Sequence, residues 1–75
     1  MPKAFVMIDV EPGHEEVCQQ HIQQMPGVQF IYEVTGGHDM IALVDAEPYE
    51  ALAVIISQIR KLEWILSTDT ELVIR

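Results

Sequence analysis

The hydrophobic pattern of this chain is interrupted at three short breaks, and these breaks constrain the fold more than any other feature. They are Pro12-Gly13, Pro26-Gly27 and Gly36-Gly37. Proline lacks a backbone N–H and glycine adopts conformations that other residues avoid, so both interrupt helices and strands. The breaks therefore divide residues 1–37 into three short segments, and none of these is long enough to form an extended helical rod.

The apolar residues change their spacing from one segment to the next, and the spacing predicts the type of each segment. Alternation with a period of two is typical of strands, and recurrence every three to four residues is typical of helices. The predicted elements are a strand at 4–10, a helix at 14–24, an antiparallel hairpin of strands at 28–35 and 40–46 around a loop at 36–39, a helix opening at Glu47-Pro48, and a strand at 65–74.

The element order β-α-β-β-α-β predicts an α+β fold of the ferredoxin-like type, formed by a single domain over residues 1–75. In this arrangement two helices cover one face of a four-stranded antiparallel sheet. The first strand is nevertheless apolar on both faces, because Phe5 and Met7 alternate with Val6 and Ile8. An uncovered apolar sheet face favours aggregation, so we expect a second subunit to cover it.

The small size of the chain also favours an oligomer. A domain of 75 residues buries only about 60% of its unfolded surface, and such domains gain stability from disulfides, metals or partner subunits. The chain has one cysteine, Cys18, which cannot form an internal disulfide and which fits a reducing compartment. We therefore predict a homo-oligomer located in the cytoplasm.

The net charge narrows the class of partner. Four basic and twelve acidic residues give a formal charge of −8, which disfavours direct binding to nucleic acids and to anionic membranes. No apolar run reaches the ~20 residues that span a bilayer, and residues 1–4 lead directly into the first strand without a targeting segment. The predicted partners are therefore small molecules or other proteins.

The hairpin sequence VQFIYEVTGGHDMIALV, residues 28–44, resembles the ligand-binding domain of the Lrp/AsnC family, also called the RAM domain. Other segments resemble that family in the same order along the chain. They are Ala4 to Ile8 with Pro12-Gly13, Pro26-Gly27-Val28, Ile59-Arg60-Lys61-Leu62 and Leu66-Ser67-Thr68-Asp69-Thr70. The resemblance therefore covers nearly the whole chain.

The resemblance implies a ferredoxin-like subunit whose sheets pack face to face in dimers, with dimers assembling into rings that are commonly octamers or decamers. It implies an amino acid or related metabolite as the effector, bound between dimers, with no cofactor and no enzymatic activity. Full-length members carry an N-terminal helix-turn-helix domain, whereas the first strand here begins at residue 4. We therefore expect a stand-alone module that modulates transcription by assembling with itself or with full-length Lrp/AsnC regulators.

The loop between the hairpin strands is the candidate effector site. Glycines let backbone amides approach a carboxylate, and Asp39 offers an acceptor for an ammonium group. The hydroxyls of the last strand would add donors. The predicted ligand-binding residues are Tyr32, Thr35, Gly36, Gly37, His38, Asp39, Ser67, Thr68 and Thr70. Without the resemblance, the same residues are also consistent with a tight turn and a threonine-rich strand.

Two alternatives involve histidines. His14, Cys18 and His21 recur at helical spacing and offer metal-ligand atoms, but the apolar residues around them predict instead that this face packs on the sheet. Cys18 would then be a small buried hydrophobe and His21 a core histidine, so no metal is expected. The second alternative is a small dimeric ferredoxin-like enzyme, of the monooxygenase or isomerase type, that uses His21 or His38 as a general base in a pocket.

Overall fold

The computed structural model describes residues 2–75 and contains the six predicted elements in the predicted order. They are β1 Lys3–Val10, α1 Glu15–Gln23, β2 Val28–Glu33, β3 Met40–Asp45, α2 Tyr49–Arg60 and β4 Ile65–Leu72. Each helix has at least one glutamate in its first turn, and a histidine or arginine in its last turn. This distribution of charge is favourable to the helix dipole. The ferredoxin-like α+β fold is therefore confirmed.

The four strands form one antiparallel sheet in the order β2-β3-β1-β4. In the β2–β3 hairpin, Tyr32 pairs with Ile41 and Glu33 pairs with Met40. The loop of the hairpin is longer than the predicted 36–39. Strand pairing ends at Glu33, and the N–H of Val34 donates to the carbonyl of Asp39 at 3.0 Å, so the loop spans residues 34–39.

The core lies between the sheet and the two helices. On β1 every even-numbered residue is buried and every odd-numbered residue is more exposed, because successive side chains of a strand point to opposite faces. The buried apolar residues are Ala4, Val6, Ile8, Val10, Cys18, Ile22, Ile31, Met40, Ala42, Val44, Leu52 and Ile59. Both helices therefore cover the same sheet face, as predicted.

The second sheet face carries a continuous apolar surface that neither helix covers. Strand register places six apolar side chains on it. We call these the open face, and they are Phe5, Met7, Phe30, Tyr32, Ile41 and Leu43. The rings of Phe30 and Tyr32 stack with centroids 4.9 Å apart, and Tyr32 is 58% exposed. The prediction that the first strand carries apolar residues on both faces is therefore confirmed.

The turn between α1 and β2 packs closely against the rest of the domain at Gly27. This glycine has a φ of +90°, and an added Cβ would lie 2.6 Å from Cδ1 of Ile55 and 3.0 Å from the carbonyl oxygen of Asp45. The carbonyl of Gly27 also accepts a hydrogen bond of 2.8 Å from the N–H of Asp45. Position 27 therefore requires glycine for both its backbone conformation and its lack of a side chain.

The exposure of α1 differs from the sequence prediction at one histidine. Cys18 and Ile22 are fully buried, as expected, but His21 is exposed, so its interpretation as a core histidine was wrong. The face that meets the sheet is centred on Cys18 and Ile22, and His21 lies at its margin. There its ring contacts Trp64 edge-on, with centroids 6.0 Å apart, which leaves the imidazole in contact with solvent.

Neither of the helices described within residues 2–75 is long and apolar enough to cross a membrane.

Candidate functional site

The loop at 34–39 folds back onto the end of β1 through the backbone and side chain of Asp39. The N–H of Asp39 donates to the carbonyl of Ile8 at 3.0 Å, and Oδ2 of Asp39 accepts from the N–H of Val10 at 2.9 Å. A carboxylate that accepts from a backbone amide forms a strong, charge-assisted hydrogen bond. These contacts fix the position of the loop against the strand.

A second carboxylate, that of Asp9, lies at the same corner of the sheet. Its Oδ2 accepts a hydrogen bond from Oγ of Ser67 at 2.8 Å and lies 3.3 Å from Nδ1 of His38. Asp9 pairs across the sheet with Ser67, so the register of β1 and β4 brings the two side chains together. We call Asp9, His38, Asp39 and Ser67 the acidic corner.

Hydrogen bonding keeps Asp9 ionised. The bond from Ser67 lowers the pKa of Asp9 most, while desolvation opposes this effect and raises it. The hydrogen bond and charge of His38, and the backbone N–H of Asp39, lower the pKa further. Donors that bind the charged form of a carboxyl group stabilise that form, so the corner presents a negative charge at neutral pH.

The acidic corner is suited to binding a cation. Asp39 is exposed, and among residues 2–75 no group donates a hydrogen bond to its Oδ1. An ammonium group can donate to this oxygen without displacing Val10 from Oδ2. The neighbouring charge of Asp9 adds to the attraction, and the exposed loop leaves room for a ligand.

The structure brings three of the predicted ligand residues, His38, Asp39 and Ser67, into one cluster. Thr35, Gly36 and Gly37 belong to the exposed loop beside them. Gly36 has a φ of +108°, and an added Cβ would meet no atom within 4 Å, so glycine is required there for conformation rather than for space. Tyr32 lies outside this cluster, on the open face.

Thr68 and Thr70 are separated from the acidic corner by the sheet itself. They pair with Ile8 and Val6, whose side chains are buried beneath the helices, whereas Ser67 faces the opposite side. Successive residues of a strand alternate between faces, so a serine-threonine run cannot present all its hydroxyls to one small ligand within a subunit. The predicted ligand-binding residues are therefore not all brought together within one subunit.

Sequence reasoning missed Asp9, although a signal was available. Asp9 is the only charged residue among residues 4–10, an otherwise apolar strand. A lone carboxylate in an apolar strand requires hydrogen-bond partners if it is not fully solvated. Those partners, Ser67 and His38, are 58 and 29 residues away, so only the sheet register could identify them.

The histidines of α1 do not form a catalytic or metal-binding group with Cys18. Burial raises the pKa of Cys18 to about 11, so it is a neutral thiol rather than a thiolate ligand or nucleophile. Within residues 2–75, no cluster of three or more histidine, cysteine, aspartate or glutamate side chains is arranged to hold a metal. His14 instead stacks on Trp64, with centroids 6.3 Å apart.

The enzyme alternative places a histidine inside a cavity. Two cavities in the part of the chain that the structure describes lie along α2 and β4, and neither is lined by a histidine. His38 lies instead at the surface of the acidic corner, beside Asp9.

Comparison with known proteins identifies a family over almost the entire chain. Residues 3–75 match the family described as the Lrp/AsnC ligand binding domain. The HTH-type transcriptional regulator LysM of Sulfurisphaera tokodaii is 32% identical over 75 residues, which cover 97% of this chain and 53% of that protein. The chain therefore spans about half the length of this curated relative.

Two solved structures are similar along their whole length. The protein TTHA0845 from Thermus thermophilus has 34% sequence identity and a TM-score of 0.93, and the match covers 100% of this chain and 95% of that chain. The hypothetical protein PHS023 from Pyrococcus horikoshii has 30% identity and the same TM-score of 0.93, with 100% and 92% covered. The match to these two structures extends over the helices and all four strands.

Proposed function

The chain belongs to the Lrp/AsnC ligand binding domain family, and from this premise we propose that it is an effector-binding and assembly module that senses an amino acid or a related small metabolite. The relative LysM is an HTH-type transcriptional regulator, which favours a regulatory role for this chain. The proposed output is a change in assembly, either of this protein with itself or with full-length Lrp/AsnC regulators in the cytoplasm.

The acidic corner is the single observation that best supports an amino-acid effector. Asp39 offers a free, exposed carboxylate oxygen for the ammonium group, and Asp9 provides a second negative charge beside it. The carboxylate of the ligand would accept from backbone N–H groups of the glycine loop, where Gly36 and Gly37 leave the backbone accessible. The loop therefore offers hydrogen-bond partners for both the ammonium group and the carboxylate group of an amino acid.

The open face supports the assembly part of the proposal. Six apolar side chains share this surface, and two such sheets packed face to face would bury them in the way sheet sandwiches do. A symmetric dimer uses the same patch on both copies. Larger rings of dimers, including the octamers and decamers implied by the family resemblance, would then use other surfaces, which leaves the hairpin loops free to bind effector between dimers.

Substitution Asp39→Asn tests the site. Asparagine keeps a side-chain oxygen that accepts from the N–H of Val10 but removes the charge that binds an ammonium group. A hydrogen bond to a charged group contributes about 1.5–3 kcal/mol, so we expect binding to weaken at least tenfold. The measurement is isothermal titration calorimetry with the amino acid that most stabilises the parent protein.

Asp45→Asn is the matched control, because it removes the same charge at the opposite end of β3. It should leave the affinity unchanged. Equal affinity of the parent and the Asp39→Asn variant would contradict the assignment of the effector to the acidic corner. An equal loss in both variants would indicate a general effect of net charge, and it would contradict the assignment as well.

A further inference from the structure

Two adjoining cavities lie along β4, and the smaller of them is also lined by Ser67 of the acidic corner. One has a volume of about 310 Å³ and the other about 330 Å³, and Arg60 lines both. The larger cavity forms a groove between α2 and β4, which we call the α2–β4 groove. Its lining residues are Tyr49, Ala53, Ile56, Ser57, Arg60, Thr70 and Leu72.

Arg60 is an exposed cation that has no carboxylate partner among the residues that the structure describes. The ion pairs found among residues 2–75 both involve histidine, and none involves Arg60. An arginine without an acidic partner is unusual in a chain with twelve acidic and only four basic residues. A basic residue in the last turn of a helix is favourable to the helix dipole, which accounts for an arginine at this position but not for the hydroxyl and apolar groups that surround it.

The groove has a polar end and an apolar wall. Ser57 and Thr70 supply hydroxyl donors beside Arg60, and Ala53, Ile56 and Leu72 supply aliphatic surface. A guanidinium group binds a carboxylate through two parallel hydrogen bonds, and hydroxyls can donate to the same oxygens. The volume of about 330 Å³ lies at the lower end of the range for small-molecule sites.

We propose that the α2–β4 groove is a second binding site, which takes a small carboxylate with a short aliphatic tail. Arg60 binds the carboxylate, and Ala53, Ile56 and Leu72 contact the tail. Within one subunit the sheet separates this groove from the acidic corner, since Thr70 and Ser67 lie on opposite faces of β4. The proposal therefore stands independently of the function proposed for the acidic corner.

The ligand class follows from the charge and the lining. One cation beside aliphatic surface favours a singly charged anion with an apolar part, whereas a phosphate or a nucleic acid would require several basic groups. The net charge of −8 further disfavours polyanions. A free ammonium group is not needed, because the groove is lined by no carboxylate.

The test uses 4-methylpentanoate as the probe and two-dimensional NMR of the intact ¹⁵N-labelled protein. We expect saturable shifts of the Arg60 side-chain Nε–H and of the Ala53 and Thr70 amides. Arg60→Gln should weaken binding at least tenfold, as expected for loss of a charged hydrogen-bond partner. Ala53→Leu, at a position that is exposed and where leucine is compatible with a helix, should weaken binding by filling the space for the tail.

Lys61→Gln is the matched control, because it removes one positive charge at the next residue but does not line the groove. It should bind 4-methylpentanoate like the parent, and the uncharged 4-methylpentanamide should not bind the parent. Unchanged binding in the Arg60→Gln variant, an equal loss in the Lys61→Gln variant, or equal binding of the amide would each overturn the proposal. Asp39→Asn should leave this titration unchanged whether or not the acidic corner binds an effector.

Discussion

Replacing Leu43 with aspartate is expected to convert the assembled protein to monomers. Leu43 lies in β3 between Phe5 and Phe30, in the middle of the open face. Two copies packed face to face would enclose an unpaired carboxylate from each chain, and the effective cost of burying such a charge is several kcal/mol. Each 1.4 kcal/mol is about a factor of ten, so association should weaken more than about a hundredfold, as measured by sedimentation velocity.

The control for this substitution is Val54→Asp. Val54 is an apolar residue on α2 that is 55% exposed, so the chemical change is similar but lies on the helix side of the domain. We expect the control to sediment like the parent protein. If Leu43→Asp also sediments like the parent at every concentration, the open face is not the assembly surface.

Replacing Gly27 with alanine is expected to cause the largest loss of stability among single-methyl additions. The backbone φ of +90° at this position disfavours any L-residue, at a cost of about 1–2 kcal/mol. The new Cβ would also lie 3.0 Å from the carbonyl oxygen of Asp45 and 2.6 Å from Cδ1 of Ile55, and overpacking costs about 1–3 kcal/mol. Urea unfolding at a fixed protein concentration should show that the free energy of unfolding falls by about 2–5 kcal/mol in total.

Gly13→Ala separates the two contributions. Gly13 has a similar φ of +88°, but an added Cβ there meets no atom within 4 Å. This variant should lose only the conformational part, about 1–2 kcal/mol. Equal losses at the two positions would mean that Ile55 and the end of β3 relax around the methyl group, and the close packing of the α1–β2 turn would then contribute nothing.

The fold could be predicted because its determinants are local. The Pro-Gly and Gly-Gly breaks mark the ends of α1 and the strands, and the apolar run of β1 forms a strand whose even positions are buried and whose odd positions are more exposed. The apolar odd positions of β1 also predicted a sheet with apolar residues on both faces. The hairpin loop was predicted too short, because its closing hydrogen bond between Val34 and Asp39 belongs to the loop rather than to the strands.

The candidate site could be predicted only in part, because it depends on contacts between distant segments. The loop glycines, His38 and Asp39 are adjacent in sequence, and the resemblance to a family indicated them directly. The role of Asp9 depends on Ser67, 58 residues away, and no local pattern encodes that register. Thr68 was grouped with Ser67 by proximity in sequence, although alternation along β4 places the two on opposite faces.

The exposure of His21 illustrates a further limit of periodicity. Helical spacing assigns His14, Cys18 and His21 to roughly the same side of α1, but a helix of nine residues contacts the sheet along a narrow line. Cys18 and Ile22 occupy that line, and the ring of Trp64 contacts both histidines beside it. The position of Trp64 depends on the path of the chain after α2. The spacing of residues within α1 cannot predict that path.

The melting temperature of the parent protein, measured against each of the twenty amino acids at fixed protein concentration, tests the central claim most directly. A ligand at about 100 times its dissociation constant adds about 2.7 kcal/mol to the native state, which for a domain of this size raises Tm by about 10 °C or more. We predict such a shift with one amino acid or a few related ones. No shift with any of the twenty would contradict an amino-acid sensor and would favour an assembly module without an amino-acid effector.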